Sequence, residues 1–340
     1  MPFPEAPPTD AAPAPRDPSA FAPINRAYGD VFRPGELTLG LVVPIEEYAS
    51  SRAPSMRRHL ERVQLAESLG FCAVWLRDVP FDVPSFGDTG QVFDPFVYLG
   101  MLAASTDDIA LGVSSIVLPL RHPAHVAKAA ASADVLSDGR LLLGVASGDR
   151  PDEYPAMGVA PDERGARFRA AYDYLRAVET ERPAFDNPFG SVRGGIDLLP
   201  KPTAGRIPML ITGSSSQDER WVATHGDGWM TYPRPGASQA AQIERYRTLV
   251  AEEGRFDKPV LQPLYIDLVD HPMPHGPEPI HLGLRLDISQ LQAYLEQARE
   301  AGVNHLALNL RFNEADVETT LRRLADEVLP DIPTTRNATP

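Results

Sequence analysis

Apolar and polar positions alternate between two patterns along the chain from Leu37 onward. Short apolar runs have the length and near-continuous hydrophobicity of strands that are buried on both faces. Each run precedes a longer stretch in which apolar residues recur every three or four positions, the period of an amphipathic helix. In the first such stretch this spacing joins Met56, Leu60, Val63 and Ala66. The pattern therefore predicts strands and helices in strict alternation.

Eight strand–helix pairs can be counted. The predicted strands lie at 38–43, 71–76, 109–115, 140–146, 207–212, 227–232, 259–269 and 304–310. The predicted helices lie at 54–70, 96–106, 123–139, 162–179, 215–226, 237–253, 287–302 and 315–329. Alternation implies parallel strands with right-handed crossovers, and eight units close into a barrel where five or six would form an open sheet. No GxGxxG follows the first strand to favour the open alternative. We therefore predict an α/β fold, a TIM-type (β/α)8 barrel with insertion loops after helix 4 and strand 7.

Three segments are expected. Residues 1–35 are crowded with Pro and Ala and are expected to form an irregular arm or a disordered tail. About residues 1–33 are expected to be dispensable for folding, and the alternative is that they wrap a partner subunit. Residues 36–332 form the barrel, and 333–340 form a C-terminal tail. The insertion at 180–206 is rich in Pro, Gly and Asp and is expected near the barrel mouth.

Composition narrows the function. The net charge of −14 disfavours nucleic acid and anionic membranes as partners, and no apolar stretch is long enough for a membrane span. The single cysteine, Cys72, lies in an apolar run and is expected to be an inert core thiol, as in a reducing, cytoplasmic setting. No cluster has metal-ligand spacing, so no metal is predicted.

In such a barrel, functional residues follow the C-terminal ends of the strands. After the fifth predicted strand, Gly213 permits a tight turn, and Ser214 and Ser215 stand where a helix is expected to begin. Free N–H groups and hydroxyls there favour a phosphate. A capping box without any ligand, with Ser214 as N-cap and Gln217 three residues later, accounts equally well for these residues.

Two further junctions carry candidates. After the fourth strand, Ser147 and Gly148 are small enough for a flat ring to lie against the backbone, although a tight turn without a ligand needs the same residues. After the third strand, His122 precedes Pro123, and it is either a solvated loop histidine or a catalytic residue.

The runs LPLRHPAHVAKAAASADVLSDGRLLLGVASG (118–148) and TGSSSQDERWVATHGDGWMTYPRP (212–235) resemble the luciferase-like monooxygenase superfamily over about 37–332. A closer resemblance, judged from GSSSQ (213–217) with DGWMTYPR (227–234) and from LNLRF (308–312), is to its luciferase-type oxidoreductases of unassigned substrate. The resemblance implies FMN, with the phosphate at Gly213, Ser214 and Ser215 and the ring near Ser114, Ser147 and Gly148. It also implies that a separate NAD(P)H flavin reductase can supply reduced flavin, and that the barrel often dimerises. The reactive cysteine of luciferase does not carry over to Cys72.

The leading hypothesis is a flavin-dependent monooxygenase that oxidises a small organic substrate with reduced FMN and oxygen. Arg121, His122 and Arg311 are the candidates for holding substrate or donating a proton. Two alternatives stay open: a deazaflavin-dependent hydride-transfer enzyme of the same superfamily, and a non-catalytic flavin-binding protein on the same barrel.

Overall fold

A closed ring of eight parallel strands forms the centre of the protein, as seen in a computed structural model that describes residues 20–253 and 256–334. The barrel strands are β1 Thr38–Val42, β2 Ala73–Leu76, β3 Ala110–Val117, β4 Leu141–Ala146, β7 Met209–Thr212, β8 Gly228–Met230, β9 Val260–Leu268 and β12 His305–Asn309. Each strand pairs in parallel with the next along the chain, and β12 pairs with β1. The predicted (β/α)8 barrel is confirmed.

Helices surround this ring. They are α1 Arg26–Val31, α2 His59–Leu69, α3 Pro95–Ala103, α4 Pro123–Leu136, α5 Glu153–Ala156, α6 Arg164–Ala177, α7 Glu219–His225, α8 Gly236–Glu252, α9 Ile288–Glu300 and α10 Val317–Glu327. Local signals set their ends: Asp94 caps α3 just before Pro95, and Asp287 with Gln290 forms a capping box on α9. Within the described ranges, no helix combines the length and apolarity needed to cross a bilayer.

The two insertions pack against different parts of the barrel. The first contains a hairpin, β5 Ala184–Asn187 with β6 Gly190–Arg193, and packs on the outside of α4 and α6, for example through Asn187 Nδ2 to the Ala170 carbonyl at 2.8 Å. This first insertion follows α6, and α6 ends beside the N-terminal ends of the barrel strands. Of the insertion, the hairpin turn at Phe189 extends furthest towards the C-terminal ends of the strands, where it lies beside the start of α4. Near the mouth the insertion therefore contributes this turn, which lies on the outside of the barrel against His122 and Arg167. The second insertion follows β9 and forms β10 Glu278–Ile280 and β11 Gly283–Leu286, and β11 extends the sheet beside the outer half of β9.

The N-terminal end of the barrel is closed by α1. Tyr28, Val31 and Phe32 are at most 3% exposed and pack with the barrel-interior residues. Tyr28 Oη donates to the carbonyl of Asp227, just before β8, at 2.6 Å. The expected irregular arm is therefore wrong for residues 20–35, because apolar residues at helical spacing are interleaved there with Pro and Ala. Residues 1–19, and positions 335–340 of the predicted tail, lie outside the described residues.

A polar chain crosses the lower barrel interior. Trp75 Nε1 donates to His305 Nε2 at 2.9 Å, and His305 Nδ1 is 2.7 Å from Thr38 Oγ1, which itself donates to the Val31 carbonyl. Because the imidazole is completely buried, its pKa is lowered to about 3. The predicted core position of Cys72 is confirmed: it is 1% exposed and packs in this same interior cluster, away from the mouth.

Candidate active site

The end of β3 opens the barrel mouth. The register between β3 and β4 shifts between Val113 and Ile116, so that Ser114 and Ser115 form an irregular segment at the C-terminal end of the strand. Both serines are half-buried. The Ser115 hydroxyl pairs with Thr212 Oγ1 across the barrel end. The candidate Ser114 therefore lies on the face where a (β/α) barrel carries its chemistry.

The junction after β4 is tightly packed around Gly148. This glycine has φ +84°, and a Cβ built there would lie 2.7 Å from both Tyr154 Oη and Val117 Cγ1. Tyr154, in α5, donates its hydroxyl to the Ser147 carbonyl. The tight-turn interpretation is confirmed for the backbone, and the position of a ring against it stays a prediction.

The turn after β7 presents an unusual backbone. Gly213, Ser215 and Ser216 all have φ between 48° and 59°, in the left-handed region. Gly213 N donates to the Met230 carbonyl at 2.8 Å, and Ser215 Oγ donates to the Thr212 carbonyl at 2.8 Å. Within residues 20–253 and 256–334, the N–H groups of Ser214, Ser215 and Ser216 have no acceptor. Three adjacent amides are thus available to an anion.

The capping-box interpretation of Ser214 is wrong. Helix α7 begins at Glu219 rather than at the predicted position 215, and its N-cap is Asp218, whose carboxylate accepts from Trp221 N at 2.8 Å. The left-handed residues keep the chain in a turn for several positions after Gly213, so the helix cannot begin at the serines. Ser214 itself is exposed.

Three elements converge beside this turn. Ser216 Oγ lies 3.2 Å from Ser147 Oγ and accepts from Arg164 Nε at 3.1 Å. Arg164 is the first residue of α6, and Gly165 allows the close approach, since a Cβ there would meet Ser216 at 3.1 Å. Two hydroxyls, one guanidinium and three amides form a donor set that suits a phosphate. The residues present therefore fit the phosphate group of a flavin-type cofactor.

Sequence reasoning missed Arg164, although a signal exists. A cation in the first turn of a helix opposes the helix dipole, so its presence there needs a reason. Ser216 also belongs to the TGSSSQ run, and sequence reasoning did not identify its hydroxyl as the one that meets Ser147.

Two of the three predicted catalytic residues are engaged in contacts with neighbouring loops. Arg121 is held by carboxylates: Nε and Nη2 donate to Asp78 at 3.0 and 2.6 Å, and Nη2 also reaches Asp94 at 2.9 Å. His122 is exposed and caps α4, with Nδ1 accepting from Ala124 N at 3.2 Å. Its Nε2 faces the Phe189 carbonyl of the outer hairpin. A catalytic role for either residue stays a prediction. In the structure, both residues form hydrogen bonds that connect neighbouring loops.

Arg311 does lie at the mouth, in a group that we call the Asp88 cluster. Its members are Tyr48, Arg77, Asp88, Arg150, Tyr265 and Arg311. The Asp88 carboxylate pairs with Arg77 and with Arg311 Nη1 (3.2 Å), and it accepts from the hydroxyls of Tyr48 (3.1 Å) and Tyr265 (3.3 Å). Burial alone raises the pKa of Asp88, but the Arg77 charge and the Gly90 N–H bring it to about 2. Asp88 is therefore ionised, and it fastens the β2–α3 loop across the mouth.

The matching family is described as luciferase-like monooxygenase, and it covers residues 37–266. The chain belongs to the luciferase-like monooxygenase family. Among curated proteins, it is 33% identical over 188 residues to an uncharacterised protein of Mycobacterium tuberculosis, covering 50% of this chain and 66% of that protein. It is also 33% identical over 198 residues to an F420-dependent glucose-6-phosphate dehydrogenase of Beutenbergia cavernae, covering 57% and 56%. The matched segments thus span less than two thirds of these relatives' lengths.

Solved structures share the barrel. A monooxygenase from Streptomyces bottropensis superposes with a TM-score of 0.71 at 19% identity, covering 86% of this chain and 99% of that one. The oxygenating component of a Baeyer–Villiger monooxygenase from Pseudomonas putida, in complex with FMN, gives 0.69 at 15% identity, covering 87% and 99%. At these identities the likeness concerns the fold. Membership of this family includes the chain among luciferase-like proteins, whose curated relatives include F420-dependent dehydrogenases and monooxygenases.

Proposed function

We propose that this protein is an FMN-dependent monooxygenase that oxidises a small organic substrate with reduced flavin and oxygen. The observation that carries the proposal is the donor set formed by Ser147, Ser216, Arg164 and the free amides of the turn after Gly213. In this proposal these donors, together with Gly213, Ser214 and Ser215, hold the FMN phosphate. The complex of the Pseudomonas putida monooxygenase with FMN supports the choice of flavin.

In this proposal the residues of the chain bind the flavin and orient it. When bound, the flavin supplies the two-electron redox chemistry. Ser114, Ser147 and Gly148 provide a small-residue surface for its ring, because no side chain larger than hydrogen fits at Gly148. The loop fastened by Asp88 crosses the mouth and limits water there, which protects a reactive centre from side reactions.

Two partners belong to the same proposal. A separate NAD(P)H flavin reductase is the proposed source of reduced FMN. The second proposed partner is another copy of the chain. Apolar side chains on the outer face of α3 support this dimer, since Val97 is 74% exposed and Met101 is 36% exposed.

A deazaflavin-dependent hydride transfer is the second candidate. The observation that favours it is the 33% identity to the F420-dependent glucose-6-phosphate dehydrogenase of Beutenbergia cavernae. The same phosphate donors would serve a deazaflavin cofactor, so the turn after β7 supports both candidates equally.

Titration of the purified, cofactor-stripped protein with FMN and with F420 separates them. We expect FMN to bind more tightly, and the protein with reduced FMN to consume more oxygen when a substrate from a panel of small organic compounds is turned over. Tighter binding of F420, with anaerobic reduction of F420 by a substrate, would establish the second candidate. Oxygen uptake that no substrate alters would favour the non-catalytic alternative, and binding of neither cofactor would refute the proposal.

A further inference from the structure

Arg150 is a buried arginine whose charge has no partner of opposite sign. Its side chain is 5% exposed, and Nη2 donates to the backbone carbonyl of Asp88 at 2.9 Å. The guanidinium carbon lies 4.4 Å from the centre of the Phe86 ring. Nη1 is buried without a hydrogen-bond partner, and no carboxylate of the described ranges lies within ion-pair distance of Arg150.

The surroundings compensate this charge only at a distance. Burial lowers the pKa of Arg150, and the like charge of Arg77 lowers it further. The carboxyl groups of Glu153, Asp149 and Asp88 raise this pKa without forming an ion pair. The carboxylate of Asp88 already pairs with Arg77 and Arg311. The cluster therefore holds three guanidinium groups against one ionised Asp88, in a chain whose net charge is −14. A buried surplus of positive charge is costly unless an anion completes it.

Glu153, three residues further on, is also incomplete. It is 2% exposed, Oε1 is buried without a partner, and it forms no ion pair with the described residues. Burial raises the pKa of Glu153 to about 7. This carboxyl therefore takes up a proton more readily than an exposed glutamate, and in the protonated form it can donate a hydrogen bond to an anion.

We propose that Arg150, flanked by Arg77 and Glu153, binds the carboxylate group of an anionic organic substrate beside the cofactor. A carboxylate is planar and carries one charge, which matches the free edge of one guanidinium. Helix α5 connects the two sites directly, because Glu153 is followed by Tyr154, whose hydroxyl binds the Ser147 carbonyl. The assignment of the bound anion as substrate rests on the proposed function, whereas the anion site itself can be measured without any cofactor.

The experiment titrates the full chain with benzoate and with succinate, and with the neutral analogues benzamide and succinamide, at constant ionic strength. Binding is followed by calorimetry and by the rise in melting temperature. The variants are Arg150→Gln, Arg150→Lys and, as the matched control at the proposed phosphate site, Arg164→Gln. FMN and F420 affinities are measured on the same proteins.

We expect saturable binding of at least one carboxylate and no binding of its amide. Loss of a hydrogen bond to a charged group corresponds to about a 10- to 150-fold weaker affinity, which we expect for Arg150→Gln. Arg150→Lys keeps the positive charge but not the planar pair of guanidinium donors, and we expect it to lose less carboxylate affinity than Arg150→Gln. Arg164→Gln should keep carboxylate binding and weaken the cofactor instead. Without ligand, Arg150→Gln should melt no lower than wild type, because it removes an uncompensated buried charge.

Absence of saturable binding by either carboxylate, or equal binding by wild type and Arg150→Gln, would overturn the proposal. So would a large fall in the melting temperature of Arg150→Gln with carboxylate binding intact, since that result means a structural role. If the carboxylate binds as described but neither cofactor binds, the proposed function fails and the anion site stands.

Discussion

Single buried residues set how this barrel responds to pH. The folded state keeps His305 neutral, with a pKa of about 3, whereas an unfolded histidine has a pKa of about 6.5. A depressed folded-state pKa gives stability that is fully present above about pH 6.5 and is lost as the pH falls towards 3. Between pH 7 and pH 5 this residue alone should remove about 2 kcal/mol of unfolding free energy.

The comparison of wild type with His305→Gln isolates this effect. Glutamine can accept from Trp75 Nε1 but does not titrate in this range. In urea unfolding at the two pH values, the wild type should lose about 2 kcal/mol more than the variant. An identical loss in both proteins would mean that His305 is not the residue responsible.

The tight packing around Gly148 leads to a second prediction about a single residue. Gly148→Ala places a Cβ 2.7 Å from Tyr154 Oη and Val117 Cγ1, on a backbone with positive φ. Gly213→Ala has a similar backbone cost but meets no atom within 4 Å. Urea unfolding should therefore show Gly148→Ala to be less stable than Gly213→Ala by about 1–3 kcal/mol, the range for overpacking. Equal stabilities would show that the packing at Gly148 is not tight.

At the scale of elements, the barrel strands and their helices could be predicted because each has a strong period and a clear stop signal. Helix α1 could not, since it is short and its apolar positions are surrounded by Pro and Ala. The start of α7 was predicted at the wrong residue for a different reason. Ser215 and Ser216 have left-handed φ values, and nothing in the sequence indicates this conformation at a serine. Both errors concern residues whose conformation is fixed by tertiary packing.

Removal of α1 tests its role in closing the barrel. A chain beginning at Pro34 loses Tyr28, Val31 and Phe32, each of which is almost fully buried, whereas a chain beginning at Ala20 keeps every described contact. Buried side chains of this size each contribute about 1.5–3 kcal/mol. We expect the shorter chain to melt more than about 5 °C below the longer one, by calorimetry. Equal melting temperatures would restore the expectation of a dispensable arm.

At the scale of the whole molecule, eight alternations were enough to predict the closed ring and the face that carries the site. The Asp88 cluster could not be predicted from the sequence, although Arg311 was among the candidate residues. Tyr48, Asp88, Arg150 and Tyr265 come from separate segments, and no spacing along the chain connects them. Only the closure of the ring brings them to one mouth.

The phosphate site between the turn after Gly213, Ser147 and Arg164 is the central feature of the proposed function. The most direct measurement is the affinity of FMN and of riboflavin for wild type and for Ser216→Ala, by quenching of flavin fluorescence. Riboflavin lacks the phosphate. FMN should bind about 10- to 150-fold more weakly to the variant, the loss of one hydrogen bond to a charged group, while riboflavin binding should stay unchanged. Equal losses for the two flavins, or no loss for FMN, would contradict the placement of the phosphate at this turn.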